Sequence, residues 1–238
     1  PYSGPPAAAV PTGWSTMDEL IRYAPDLAVG FLHNLEIAGL CAVFSLILGT
    51  ILVIMRVAPT PVLRAVGGIY VNVVRNTPLT LVLAFCALGL SDTLGLAFSE
   101  RPITNSFYLV VLGLSAYTAT FVCEALRSGI NTVPLGQAEA ARAIGLTFFQ
   151  SLRLIILPQA ARSVIAPLGS VMIAMTKNTT VAIAAGYLAE SAFVMRDTFD
   201  DTGVSIPIFL GLVVAFMAVT LPIGFLTGWL AKRLAVAR

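Results

Sequence analysis

Apolar residues in this chain come in long runs, not in the 3.6- or 2-residue alternation of a surface helix or strand. Five runs stand out, near Phe31–Met55, Val66–Gly89, Thr104–Leu126, Ser163–Gly186 and Ile206–Leu230. Each is close to or above the roughly 20 apolar residues that a helix needs to cross a bilayer, against about 10–14 for a merely buried helix. A membrane β-barrel would instead show alternating segments of about ten residues. The pattern predicts an all-α integral membrane protein with five transmembrane helices, forming one domain over 29–238.

Between the third and fourth runs lies a longer polar stretch, Asn131–Arg162, with its own local signals. Thr147-Phe-Phe-Gln150 has the S/T-x-x-Q form of a capping box. Phe148, Leu152, Ile155 and Ile156 then make an apolar stripe. Gly145 stands where a preceding helix, Leu135 to Ala143, would need a left-handed residue to end. The expectation is two short helices meeting in a sharp bend at Gly145-Leu146. By themselves these signals also fit an amphipathic hairpin lying on a surface without a partner.

Composition agrees with the pattern. Of 238 residues, 58% are hydrophobic and 11% charged, whereas a soluble domain carries about 25% charged residues. The charges divide by side. The segments between spans 1 and 2 and between spans 3 and 4, with the C-terminal tail, hold Arg56, Arg64, Arg127, Arg142, Arg153, Arg162, Lys232, Arg233 and Arg238 against Glu139. The other side holds Asp18, Glu19, Asp26, Asp92, Glu100, Glu190, Asp197, Asp200 and Asp201, with Arg22, Arg101 and Arg196. Lys and Arg accumulate in cytoplasmic loops, so the N-terminus is expected outside and the C-terminus inside. Residues 1–28 form an extracytoplasmic N-terminal segment expected to lack fixed structure. Its start, Pro1–Gly13, reads as a lead-in or a processed end, with Met17 as an alternative start. It lacks the basic and apolar regions of a signal peptide. Cys41, Cys86 and Cys123 sit in apolar runs without metal-ligand or redox spacing and read as small buried hydrophobes.

The loop also carries a longer motif. Glu139-Ala140-Ala141, three residues, Gly145, nine residues, then Ile155-Ile156-Leu157-Pro158 resembles, at every fixed position, the EAA signature of permease subunits of ABC importers. Arg75-Asn76-Thr77-Pro78-Leu79, Ser128-Gly129-Ile130, Leu157-Pro158-Gln159-Ala160 and Lys177-Asn178-Thr179-Thr180 resemble the polar amino acid subfamily. The phrases RNTPLTLV, EALRSGINTV and TKNTT are more similar to the glutamate permeases of actinobacteria than to those for histidine or glutamine.

The resemblance implies a type I importer permease in the bacterial plasma (inner) membrane. It would work with a second, different permease chain, two ATP-binding cassette ATPase subunits and an extracytoplasmic amino-acid-binding protein. In it, Glu139, Ala140, Ala141, Gly145, Leu157 and Pro158 would form the loop that docks on the ATPase. No cofactor, metal or nucleic acid is implied. The chain has no G-x-x-x-x-G-K-[ST] phosphate loop, since its lysines are Lys177 and Lys232, so another polypeptide would hydrolyse ATP.

Charges inside spans usually face a cavity or a partner. Arg75 and Lys177 are each followed by Asn-Thr, and Pro78 removes a backbone donor nearby. Broken helices of this kind commonly hold the head groups of cargo. Arg75, Asn76, Thr77, Lys177, Asn178 and Thr179 are therefore candidates for lining the pathway. The alternative is that they lock spans together or steady the loop. Glu36 and Glu124 read as span-end residues or ion-pair partners, and His33 as an interfacial side chain. A secondary transporter would show repeated sets of spans, which five spans do not provide. An intramembrane enzyme would need paired carboxylates or a ligand cluster within the spans. The cargo alternative within the importer class is another polar amino acid such as glutamine or aspartate.

Overall fold

The structure is a computed structural model that describes residues 16–202 and 206–234. Its regular elements among those residues are all helices. The long helices are α1 (Thr16–Val57), α4 (Pro102–Asn131), α7 (Leu157–Asn178) and α9 (Ile206–Leu234). Shorter ones are α2 (Pro61–Arg75), α3 (Leu79–Ala84), α5 (Leu135–Ala143), α6 (Phe148–Ser151) and α8 (Ser191–Thr202). Two π-helical stretches, Phe85–Thr93 and Leu152–Ile156, extend α3 and join α6 to α7, and a 3₁₀ segment, Thr179–Ala185, extends α7.

Four runs are long and apolar enough to cross a membrane: Ile21–Val57, Pro102–Asn131, Phe148–Ala185 and Ile206–Leu234. The second expected span, Val66–Gly89, is not a straight helix. It is two helical pieces, Pro61–Arg75 and Leu79–Thr93, meeting at 105°. Pro78 supplies the break, since it has no N–H to donate and adopts φ −57, ψ 136. Counted as one span, the bent pair brings the total among the described residues to five. In the N-terminal segment, residues 1–15 lie outside the described residues, and 16–28 belong to α1.

The pairing of helices fixes the architecture. Along α1 and α4 the contacts rise together, from Cys41 Sγ donating to the Val111 carbonyl to Arg56 pairing with Glu124, so these two helices run parallel. Between α4 and α7 they run oppositely: Gly129 meets Val164, and Thr118 shares a cleft with Met175. Gly169 and Gly224 bring α7 and α9 together, also antiparallel. One end of the bundle thus collects the C-termini of α1, α4 and α9 and the whole 132–162 loop, the basic side of the charge count. The other end collects 94–101 and 186–202.

Helix α4 is the axis. Two-thirds of its most apolar window, 67%, is inside the protein, against 6% for α9. Since lipid tails are as apolar as leucine, helices in a membrane associate through close packing at small residues. Three glycines supply this around α4. A Cβ at Gly49 would lie 2.5 Å from Val122, one at Gly113 would lie 2.9 Å from both Cys86 and Leu83, and one at Gly129 would overlap Val164. Two apolar clusters flank the axis, one around Ile37, Leu83, Val110 and Leu114, the other around Leu52, Val71 and Ala119. Cys41, Cys86 and Cys123 are buried free thiols, Cys41 in the first cluster, Cys123 in the second and Cys86 against Gly113 of α4.

Gly129→Leu should therefore separate α4 from α7 and destabilise the bundle by about 1–3 kcal/mol, the usual cost of overpacking. Gly39→Leu, where nothing lies within 4 Å, should not. Thermal unfolding of the two variants in detergent compares them directly.

Candidate coupling loop and transport cleft

The loop begins at Pro134, the N-cap of α5, whose carbonyl accepts the Gln137 N–H at 2.9 Å. α5 ends in a Schellman motif. The Leu146 N–H donates to the Ala141 carbonyl at 3.0 Å and the Gly145 N–H to the Arg142 carbonyl at 3.0 Å, with Gly145 at φ +85. A side chain there has room, since nothing lies within 4 Å of its Cβ position, but not the right backbone conformation. After the bend, Thr147 Oγ1 accepts the Gln150 N–H and Gln150 Oε1 accepts the Thr147 N–H, a complete capping box. These features match the expected bend. The second helix does not stop, however. It runs on through the π turn into α7, giving one continuous helical run, Phe148–Ala185. Pro158 accounts for the π turn, because it cannot donate to Leu154 and its ring crowds that carbonyl.

Of the motif residues, Glu139 and Ala140 are exposed and Ala141 is 1% exposed, tucked beneath the bend. Leu157 and Pro158, both exposed, open α7. Around them the loop presents Leu135, Ile144 and Phe149, at 81%, 75% and 77% exposure.

Higher in the bundle, the two Asn-Thr motifs are placed differently from each other. At the 105° bend, Asn76 Nδ2 donates to the Asn72 carbonyl at 2.6 Å and Thr77 Oγ1 donates to the Val73 carbonyl at 2.9 Å. These side chains therefore occupy the carbonyls that the break would free. Arg75 is exposed, and its guanidinium sits 5.9 Å from the ring centroid of Phe121 on α4, a cation–π contact. Phe121 packs against Tyr117 at 5.1 Å. Both rings line a cleft of about 230 Å³ between α4 and α7, together with Ser170, Met175 and Asn178. Arg75 and Asn178 are thus brought together around one aromatic pair.

Lys177 and Thr179 are not. Lys177 lines a separate cleft of about 390 Å³ with Met195 of α8 and Phe209, Phe216 and Thr220 of α9. Thr179 is fully buried and accepts a hydrogen bond from Asn34 Nδ2 at 2.9 Å. Glu124 is the ion-pair partner of Arg56, and His33 Nδ1 lies 3.2 Å from Glu36 Oε2. Three residues that matter here carry no expectation from the sequence, Tyr117, Phe121 and Asn34, and a fourth, Glu190, is expected only as one of the outer-side acids. The first two are an i, i+4 aromatic pair, a detectable signal. Asn34 is a lone amide in an apolar run. Glu190 precedes α8 and accepts the Ala192 and Phe193 N–H groups at 2.7 and 3.0 Å. Burial pushes its carboxyl above the ordinary range, against the pull of those donors and of Asn34.

Residues 42–236 match the family described as the inner membrane component of binding-protein-dependent transport systems. The chain belongs to that family. This permease is 46% identical over 220 residues to the glutamate transport system permease protein GluC of Corynebacterium efficiens, covering 90% of this chain and 96% of the relative. It is equally similar, at 46% with the same coverage, to GluC of Corynebacterium glutamicum. Its fold matches a crystal structure of an amino acid ABC transporter with histidines at a TM-score of 0.78 and 24% identity, covering 93% of this chain and 99% of that one. The permease is accordingly a multi-pass protein of the bacterial inner membrane with the type I importer fold. It is a transport subunit, working with a separate ATPase and a binding protein.

Proposed function

We propose that this permease carries glutamate or a closely related polar amino acid, that it pairs with a different permease chain, and that its N-terminus faces outside. The 46% identity to two glutamate permeases over nearly their whole length is the observation that carries the cargo. The cleft between α4 and α7 supports it. About 230 Å³ is below the roughly 300–1,000 Å³ of drug-sized sites and suits a small amino acid. Arg75 at its margin supplies a cation, Tyr117 and Phe121 supply π-faces, and Asn178 can both donate and accept. In this reading the pathway runs along Arg75, Phe121 and Asn178. Asn76 and Thr77 hold the bend that presents Arg75, and Lys177 and Thr179 stand outside it.

The loop reading rests on rigidity. A bend locked by a Schellman motif and a capping box passes on the closure of an ATPase groove, where a flexible segment would absorb it. Glu139, Ala140, Ala141, Gly145, Leu157 and Pro158 form this wedge, with Leu135, Ile144 and Phe149 as its apolar contact face.

Two experiments test these assignments. A membrane-impermeant thiol reagent applied to intact cells should label Asp200→Cys but not Gln150→Cys; labelling at Gln150 alone reverses the orientation. For the cargo, uptake of glutamate and of glutamine should be compared at matched levels of whole transporter, with a binding protein that accepts both. Arg75→Gln should lower the glutamate-to-glutamine ratio by about twofold to fivefold, as for losing one charge from a solvent-accessible pair. Lys177→Gln should leave that ratio unchanged. An equal fall for both cargos in Arg75→Gln would make its role structural.

A further inference from the structure

One side chain of α1 holds three groups of another part of the chain. Asn34 Nδ2 donates to Thr179 Oγ1 at 2.9 Å and to Glu190 Oε2 at 3.4 Å, while Asn34 Oδ1 accepts the Ser191 N–H at 2.9 Å. All four residues are 0% exposed. A polar amide inside an apolar helix is costly unless satisfied, so its bonding capacity is spent where it is needed. What it ties down is the connection Thr179–Ser191, held at both of its ends to a single point on α1.

A second feature shows that this contact is built closely. Gly30, one turn before Asn34 on the same face, leaves room for the start of α8. A Cβ there would lie 3.0 Å from Ser191 Cα and 3.1 Å from Ser191 N. Both Glu190 oxygens are engaged, Oε1 by the Phe193 N–H and Oε2 by the Ala192 N–H and Asn34. The cluster acts as a clasp between α1 and the start of α8. It also reaches α7, because Thr179 Oγ1 donates a hydrogen bond to the Thr176 carbonyl at 2.8 Å. The next residue back along the chain from Thr179 is Asn178, in the wall of the α4/α7 cleft.

We infer that Asn34 is a positioning residue, whose clasp on Thr179, Glu190 and Ser191 fixes the junction of α7 with the 3₁₀ segment and so sets Asn178 in the cleft wall. The functional half of this inference rests on the cleft being the cargo path.

The test uses the complete transporter in lipid nanodiscs. A nitroxide on Asn178→Cys reports the junction. Asn34→Asp removes the amide donors and sets a carboxylate against Glu190, and should mobilise the label. Asn34→Asp combined with Glu190→Gln removes the like-charge contact and restores one amide–carboxylate pair, but not the donor to Thr179 or both acceptors for Ala192 and Phe193, so it should return the spectrum part of the way toward that of the parent. Thr179→Val removes the acceptor for Asn34 and the donor to the Thr176 carbonyl at nearly constant volume, leaves the Glu190 and Ser191 contacts in place, and should give a smaller shift in the same direction, which keeps the test open if Asn34→Asp fails to assemble. An unchanged spectrum in the single variants overturns the inference. So does a mobilised spectrum that the double exchange moves no part of the way back, which is the mark of a general loss of packing. A second arm measures the ratio of glutamate to glutamine uptake in Asn34→Asp and Asn178→Ala, singly and together. Shared positioning predicts non-additivity of about threefold or more in that ratio. If the nitroxide behaves as expected while none of these variants moves the ratio, the positioning stands and the cleft is not the cargo path.

Discussion

In the hydrocarbon core of a membrane no water is at hand for a backbone N–H or C=O that lacks a partner, so every break in a helix has to be satisfied by the chain itself. This permease breaks its helices at several places, and side-chain hydroxyls and amides serve each. Asn76 and Thr77 take the carbonyls at the end of α2. Thr93 takes the Leu88 carbonyl in the π segment after α3. Thr176, Thr179 and Thr180 take those at the end of α7. The Asn-Thr and Thr-Thr pairs that stand out in the sequence are there, first of all, to make irregular backbone tolerable. The proposed cargo path is built on the irregularity, since the bend of 105° lies beside Arg75, whose guanidinium stacks on Phe121.

The same constraint explains why α4 and α7 carry so much. α4 is unbroken and mostly enclosed, with glycines on three neighbouring contacts letting other helices approach it. α7 belongs to a run that starts in the coupling loop and ends beside the cleft. From Phe148 to Asn178 that run spans about 45 Å at 1.5 Å per residue. In the proposed mechanism this is the mechanical link: a displacement of the wedge at one end tilts the wall of the cleft at the other. The π turn at Leu152–Ile156, set by Pro158, is the place along it where the helix can give.

Local chemistry was legible in the sequence and long-range chemistry was not. The limits of α5, the turn at Gly145 and the Thr147/Gln150 cap could all be read, because each depends on residues within one or two turns. The runs that cross the membrane could be read from hydropathy alone. The angle at Pro78 could not, since proline fixes its own φ and removes a donor but does not set the direction of the next helix. Nor could the separate placement of Lys177, Asn178 and Thr179. Successive residues on a helix point about 100° apart, so three neighbours in one motif face three different surroundings: the α8/α9 cleft, the α4 cleft and the Asn34 clasp. Asn34 and Glu190, 156 positions apart, carry no local mark of belonging together.

The central claim is that force enters this chain at the Leu135–Leu157 wedge and travels along α6 and α7. A photo-crosslinking amino acid at Phe149, 77% exposed, tests it in the assembled transporter. The account predicts a covalent adduct with the ATPase subunit, with a yield that changes between the nucleotide-free and ATP-bound states. Adducts with lipid alone, or an ATPase adduct indifferent to nucleotide, would contradict it.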